Sequence, residues 1–256
     1  MINLRKIKVL VLLTMVLCSL KTQAFGYFPD ESLSKTAELN ASGKIKFRED
    51  WTYQLIDGKI ISVGTKVGYE RYDRLGQKLE EANYDRNGKP LIEVTYTYDD
   101  YGREEHCLGW KENKSFFNKW NYAFNEKSKT LTKTNASAGC ANEKLIYQFD
   151  DNGNVVDEIH YDLNGKLSYH YQMCYTKFKE LMELKDLGAN GEIFERWVYK
   201  YNQQNINTEV MVYNGSEELS RKYINIYNAD GIRLEVITVD NEGNAYEKTV
   251  SKYQFY

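Results

Sequence analysis

The chain has 256 residues, with 34 Lys and Arg against 37 Asp and Glu, a formal net charge of −3, 42% apolar and 28% charged residues, and a mean hydropathy of −0.65. This balance excludes a multi-span helical membrane protein and a disordered acidic tail, and the lack of a basic excess argues against a nucleic-acid groove, which depends on clustered Lys and Arg. Twenty-two tyrosines, ten phenylalanines and only two prolines, Pro29 and Pro90, make a β-rich composition.

The first element in chain order is an address. Met1 to Lys8 is basic, Val9 to Leu20 is an apolar run, and Thr22-Gln23-Ala24 puts small residues where a signal peptidase needs them. The pattern predicts a signal peptide over 1–24, cleaved after Ala24, and hence a secreted or periplasmic protein. The apolar run of about a dozen residues is too short to span a bilayer, which takes about 20, and no later segment offers a membrane span. Leu17 before Cys18 does not fit a lipoprotein site. Loss of the four cations of the leader takes the formal charge from −3 to −7. Three cysteines then remain, Cys107, Cys140 and Cys174, enough for one internal disulfide and a spare thiol. Their spacing matches no metal-ligand pair, and no motif implies a cofactor.

A short polar linker, 25–45, leads into residues 46–256, where the dominant signal is a repeat. An aromatic residue, then Asp or Asn, then Gly three positions on, recurs at Tyr72-Asp73…Gly76, Tyr84-Asp85…Gly88, Tyr98-Asp99…Gly102, Phe149-Asp150…Gly153, Tyr161-Asp162…Gly165 and Tyr227-Asn228…Gly231. Weaker copies stand at Phe124-Asn125…Ser128, Tyr201-Asn202…Asn205 and Asp240…Gly243, and degenerate turns near Lys179, Asn205 and Glu217 complete the series. From Gly153 to Gly243 the spacing alternates 12 and 14, a period of about 26 residues with two turns each, with a one-residue slip around 135–140. Asp or Asn caps the turn through its side chain, and Gly takes the left-handed position of a three-residue hairpin loop. The 8–10 residues between turns are rich in Tyr, Val, Ile and Thr and read as strands. The prediction is an all-β antiparallel meander of repeated hairpins, open or curled, with about 14 strands.

Extending the pairing from Asp150 with Asn154, and from Asp162 with Lys166, gives a register in which Leu145, Tyr147, Phe149, Val155, Ile159, Tyr161, Leu167, Tyr169, Tyr171, Met173 and Tyr175 share one face. That register sets Asp157 between Tyr147 and Tyr171, as a polar pocket among aromatics. It sets His170 opposite Glu158 with His160 on the same face, a possible acid–base or weak metal-binding trio. Near Tyr223 to Val239 apolar residues fall on both faces. The Asp-x-Asn-Gly loops lack the acids an EF-hand loop needs, Gln148 and Ile159 standing where carboxylates would be, so they read as turns.

The string Tyr96-Thr-Tyr-Asp-Asp-Tyr-Gly-Arg103, supported by Tyr147-Gln-Phe-Asp-Asp-Asn-Gly153 and Tyr161-Asp-Leu-Asn-Gly-Lys-Leu167, resembles the YD repeat of the RHS family over roughly residues 65–256. The resemblance implies a secreted β-sheet repeat scaffold, here a short stand-alone member without a toxin domain. The expected function is a scaffold that binds a protein partner through its extended β surface. The alternatives are a glycan-binding protein using exposed aromatics such as Trp110, Trp120 or Trp197, and a hydrolase built on Glu158, His160 and His170. No nucleophile motif supports an enzyme.

Overall fold

A computed structural model describes residues 44–100, 102–111, 114–137 and 143–256; the expected signal peptide, nearly all of the linker, and Cys140 lie outside the described residues. The described chain is all-β, without a helix, and its strands belong to one sheet. They are β1 (Ile45–Ile56), β2 (Lys59–Ile60), β3 (Thr65–Tyr72), β4 (Lys78–Tyr84), β5 (Pro90–Tyr98), β6 (Glu104–Lys111), β7 (Lys114–Asn125), β8 (Thr130–Asn135), β9 (Lys144–Phe149), β10 (Val155–Tyr161), β11 (Leu167–Tyr175), β12 (Leu181–Leu187), β13 (Ile193–Tyr201), β14 (Asn207–Asn214), β15 (Leu219–Tyr227), β16 (Arg233–Asp240) and β17 (Ala245–Phe255). The meander is as expected, but the described residues hold 17 strands rather than about 14. The extra strands come from stretches without a Tyr-Asp-Gly signature, such as the hairpin of β1 and β2. There Asp57 and Gly58, at φ 49° and 70°, form a two-residue turn of the kind that matches strand twist.

Each signature turn has the same construction. At the first, the Asp73 amide donates to the Gln77 carbonyl (2.9 Å) and the Gly76 amide to the Asp73 carbonyl (3.1 Å). Asp73 Oδ1 accepts from the amides of both Leu75 (2.7 Å) and Gln77 (2.9 Å). The carboxylate therefore caps two amides that no strand partner reaches, which the turn conformation leaves pointing inward. Asp85, Asp150, Asp162, Asn202, Asn214, Asn228 and Asp240 repeat the double cap. Gly76 and Gly165 occupy the left-handed position at φ 79° and 74°, and the degenerate turns put Lys179, Asn205 and Glu217 there at 73°, 57° and 62°. The slip in the repeat sits partly in the β7–β8 turn, where Lys129 rather than Ser128 is left-handed (φ 52°) and the ladder runs on without a bulge.

The turns also carry a feature that the sequence register missed. In hairpin after hairpin one residue of the second strand, three positions past the left-handed residue, bulges out of the ladder. Tyr72 pairs with Lys78 but Arg71 with Glu80, omitting Leu79. Val156, Ser168, Met182, Phe194, Thr208 and Tyr246 are omitted in the same way. Each bulge moves the rest of its strand by one place and so exchanges its two faces. Burial follows: in β4, β6, β10, β12, β14 and β16 the first and fourth residues are buried. β16, within the stretch where mixed faces were noted, shows the same burial at its first and fourth residues. The recurring tyrosines answer the bulge, for the hydroxyls of Tyr98 and Tyr201 donate to the carbonyls of Lys78 and Leu181, the residue just before each bulge, at 2.7 and 2.9 Å, and Tyr253 donates to the Arg233 carbonyl at 2.9 Å.

The chain comprises two compact units, one of residues up to Phe117 together with Ile224–Tyr256, the other Asn118–Tyr223. In the first, β1 is hydrogen-bonded on one side to β17 and on the other to β3, so the sheet closes through β1 and neither terminal strand is left as an edge. Its core includes Val94, Tyr96 and Cys107, packed with Ile92, Tyr98 and Phe116. Beside them lies a buried ionic network. Arg48 reaches Asp50 and Glu70, both at 3.1 Å, Lys78 bonds Glu70 and, at 3.0 Å, Glu81, and Tyr72 donates to Glu70 at 2.6 Å. Burial alone would raise the Glu70 pKa, but Arg48 and Lys78 outweigh it and hold the group down at about 2. In the second unit the buried face carries Leu131, Leu145, Tyr147, Phe149, Val155, Met173, Leu181, Leu184, Tyr199, Val210 and Val212.

Candidate functional site: an aromatic and acidic belt in the second unit

The bulge after Val155 redistributes the residues singled out on β10. Glu158, not Asp157, stands between Tyr147 and Tyr171, and it is fully buried. Tyr169 donates to Glu158 Oε1 at 2.9 Å. Asp157 pairs with Gln148 and Gln172 on the opposite face, where it meets His170 Nε2 at 2.5 Å. The expected trio is therefore divided. His160 stays with Glu158, its ring 4.9 Å from that of Tyr169 and its Nε2 3.5 Å from Glu143, while His170 lies opposite Ile159 and turns to the other side. Ile159 likewise leaves the face it was assigned. Tyr147 and Tyr171 keep theirs.

With the bulges counted, a row of residues standing directly opposite one another crosses six strands: Tyr147, Glu158, Tyr171, Asp186, Glu195 and Asn214 on β9 to β14. The next row toward the β11–β12 and β13–β14 turns is apolar, with Met173, Leu184, Trp197 and Val212. The row on the other side brings Lys133, Leu145, His160 and Tyr169 together. A belt of acids and tyrosines thus borders an apolar floor. From Tyr171 onward its side chains are only half-buried and keep part of their surface exposed.

The β12–β15 end of the belt is the most highly organised. Arg221 grips Glu195 with two bonds, Nη1 to Oε1 at 2.9 Å and Nη2 to Oε2 at 3.1 Å, and Trp197 Nε1 donates to the same carboxylate at 3.1 Å. Arg221 Nε also donates to the Tyr223 hydroxyl at 2.7 Å. The rings of Trp197 and Tyr223 stack at 5.9 Å and 21°, although they come from strands on either side of β14. Trp197 stands opposite Val212 of the intervening strand, which is fully covered. Burial works against the Arg221 charge, but Glu195 and Tyr223 overcome it and hold the guanidinium above its ordinary pKa. Asp186, directly opposite Glu195 on the neighbouring strand, accepts no hydrogen bond from the described residues. Burial and the Glu195 charge raise its pKa to about 6, against the opposing effect of His170.

These residues offer acceptors, one clamped cation and flat aromatic surface, an arrangement for binding rather than for nucleophilic attack. Among the described residues no group of three His, Cys, Asp or Glu is placed to hold a metal ion. Cys107 is buried and Cys174 exposed, and the two are not joined. Trp120 is buried, with Lys133 4.3 Å above its ring, and Trp110 is half-buried, so Trp197 is the expected tryptophan that enters the belt. Asp186, Glu195 and Arg221 escaped the sequence reading because only a register that includes the bulges aligns them.

The opposite face of this unit is laced with ion pairs. Arg196 bridges Glu217 (2.5 Å) and Glu183 (3.4 Å), Lys185 meets Glu183 (3.1 Å) and Lys200 meets Glu209 (3.3 Å).

No family model and no curated protein matches the chain. Solved structures similar to it include porin-like proteins from Bacteroides vulgatus (10% identity, TM-score 0.35, covering 82% of this chain and 98% of that one) and Bacteroides uniformis (10%, 0.34, 83% and 96%). A DUF1329 family protein from Desulfovibrio piger is also similar (9% identity, TM-score 0.30, 84% and 86% covered). At TM-scores of this size the likenesses carry no argument about this chain.

Proposed function

We propose that this is a secreted or periplasmic binding protein that takes a glycan on the belt of its second unit. The observation that carries the reading is the Trp197–Tyr223 stack beside Glu195, which Arg221 holds rigid, and Asp186, whose acceptor sites are unused. Sugar rings present an apolar C–H face and a rim of hydroxyls. Aromatic rings suit the first, and fixed carboxylates accept from the second. The expected secretion leader supports an address where glycans are encountered, and the resemblance to YD repeats supports a repeat scaffold on which such a belt is displayed. Titration with a panel of envelope and storage polysaccharides tests the reading: tryptophan fluorescence should change with at least one of them, and Trp197→Ala should abolish the change. A flat response across the panel in the native protein would refute it.

A protein partner on the extended β surface is the second reading, and one observation favours it. Ile56, Ile60, Ile61 and Val63 are 58, 53, 55 and 91% exposed around the β1–β2 hairpin. Exposed aliphatics gathered in so short a segment are a common mark of contact surfaces. Cross-linking from a reactive group placed at position 63 should then capture a defined envelope protein, and failure to do so would remove this reading.

A further inference from the structure

The belt is electrically unbalanced in a way that bears on what it selects. This inference rests on the glycan reading above. Among the described residues facing this side of the sheet from β8 to β15, four carboxylates (Glu143, Glu158, Asp186 and Glu195) stand with two permanent cations, Lys133 and Arg221. Arg221 is committed to Glu195 by two bonds. Lys133 is 1% exposed and lies over the Trp120 and Tyr122 rings, on the far side of the belt from Asp186. Glu158 is sealed from solvent and bonded by Tyr169, and Glu143 takes Asn135 Nδ2 at 2.6 Å. Asp186 is therefore the carboxylate on which negative charge stays both accessible and uncompensated. Its cross-strand neighbours are Tyr171 on one side and Glu195 on the other. His170 sends its field from the far face, where Asp157 holds it.

A ligand ammonium set against Asp186 would meet a carboxylate with free acceptor sites, a group that strongly favours a cation in a half-dry site. A uronate or sulfate would meet an acidic row instead, a like-charge contact that disfavours binding. The distance from β11 to β15 is about 19 Å at ~4.8 Å per strand, enough for several sugar rings. We propose that the belt is selective for amino-sugar glycans with free ammonium groups, and that Asp186 is the residue that reads the ammonium.

Calorimetric titration at pH 6.5 with three oligosaccharides of equal length tests this: a glucosamine oligomer, its fully N-acetylated form and an oligogalacturonate. The native protein should bind the glucosamine oligomer at least tenfold more tightly than the acetylated one, with no measurable binding of the uronate. Asp186→Asn should reduce that preference to less than threefold, while Glu209→Gln, on the opposite face, should leave it intact. Equal affinity for the free and acetylated oligomers in the native protein, or an unchanged preference in Asp186→Asn, overturns the charge selection and leaves glycan binding standing. Absence of binding to any of the three, together with a silent fluorescence panel, overturns both. Circular dichroism of each variant separates loss of folding from loss of selectivity.

Discussion

The tyrosine-to-bulge hydrogen bond gives the most direct test of how this repeat is held together. Tyr201→Phe removes only the hydroxyl that donates to the Leu181 carbonyl at 2.9 Å, leaving the ring in place. Tyr98 and Tyr253 make the same contact, each to a residue 20 positions earlier. Their acceptor residues, Lys78, Leu181 and Arg233, are 8, 4 and 5% exposed, so water cannot readily replace the lost donor. A hydrogen bond contributes about 1 kcal/mol net, and a stranded buried carbonyl costs about 1–3 kcal/mol. Each single variant should therefore lose about 1–2 kcal/mol. The sites lie on strands that do not touch, so the losses in a triple variant should add to about 3–6 kcal/mol. With a urea m-value of about 3 kcal/mol/M, each single change should lower the midpoint by about 0.3–0.7 M at constant m. Midpoint shifts below about 0.1 M in all three variants would show that the hydroxyls are incidental and that tyrosine recurs for its ring alone.

Three further outcomes are expected. Lys179 is left-handed at φ 73°, a conformation that costs an L-residue about 1–2 kcal/mol, so Lys179→Gly should raise the melting temperature despite the lost surface bond to the Asn152 carbonyl, whereas Gly165→Ala at φ 74° should lower it. Glu70→Gln leaves Arg48 and Lys78 short of a buried counter-charge and should cost about 3–5 kcal/mol at pH 7. Because the native Glu70 pKa is depressed from 4.5 to about 2, its stabilisation is complete above pH 4.5 and is lost as the pH falls toward 2; the gap between native protein and variant in denaturant titrations should close over that window. Asp186 has the opposite sign. Its native pKa is raised from 3.8 to about 6, so folding favours the protonated form and the native protein should lose stability as pH rises from 4 to 6, a slope that Asp186→Asn should flatten.

The turns were legible because each is a local solution. Asp73 and Gly76 need nothing beyond five consecutive residues, and even Lys179, Asn205 and Glu217, which lack the glycine, fall at the beats of the series and adopt the left-handed conformation. The bulges were not legible, because a bulged residue such as Val156 or Ser168 has no special side chain and owes its place to the ladder around it. That single omission explains the misplaced site. One position of slip moved Asp157 onto the aromatic face on paper and put His170 beside Glu158, while the true row of Tyr171, Asp186 and Glu195 stayed invisible. Alternation of apolar residues could not correct it, for this interior accepts Glu158 and Lys133 as readily as leucine.

The placement of β1 sets an order of events in folding. Thr52 finds Thr65 after only a short loop, but its other neighbour, Thr249, is 197 residues away. A long-range pairing of this kind carries a large loop-closure entropy and forms late. Until it does, two rows of unsatisfied amides and carbonyls face the solvent, each a template for a stray strand. A molecule whose β17 has not docked would be prone to stick to its own kind, so this eleven-residue strand acts as the latch that makes the folded sheet inert.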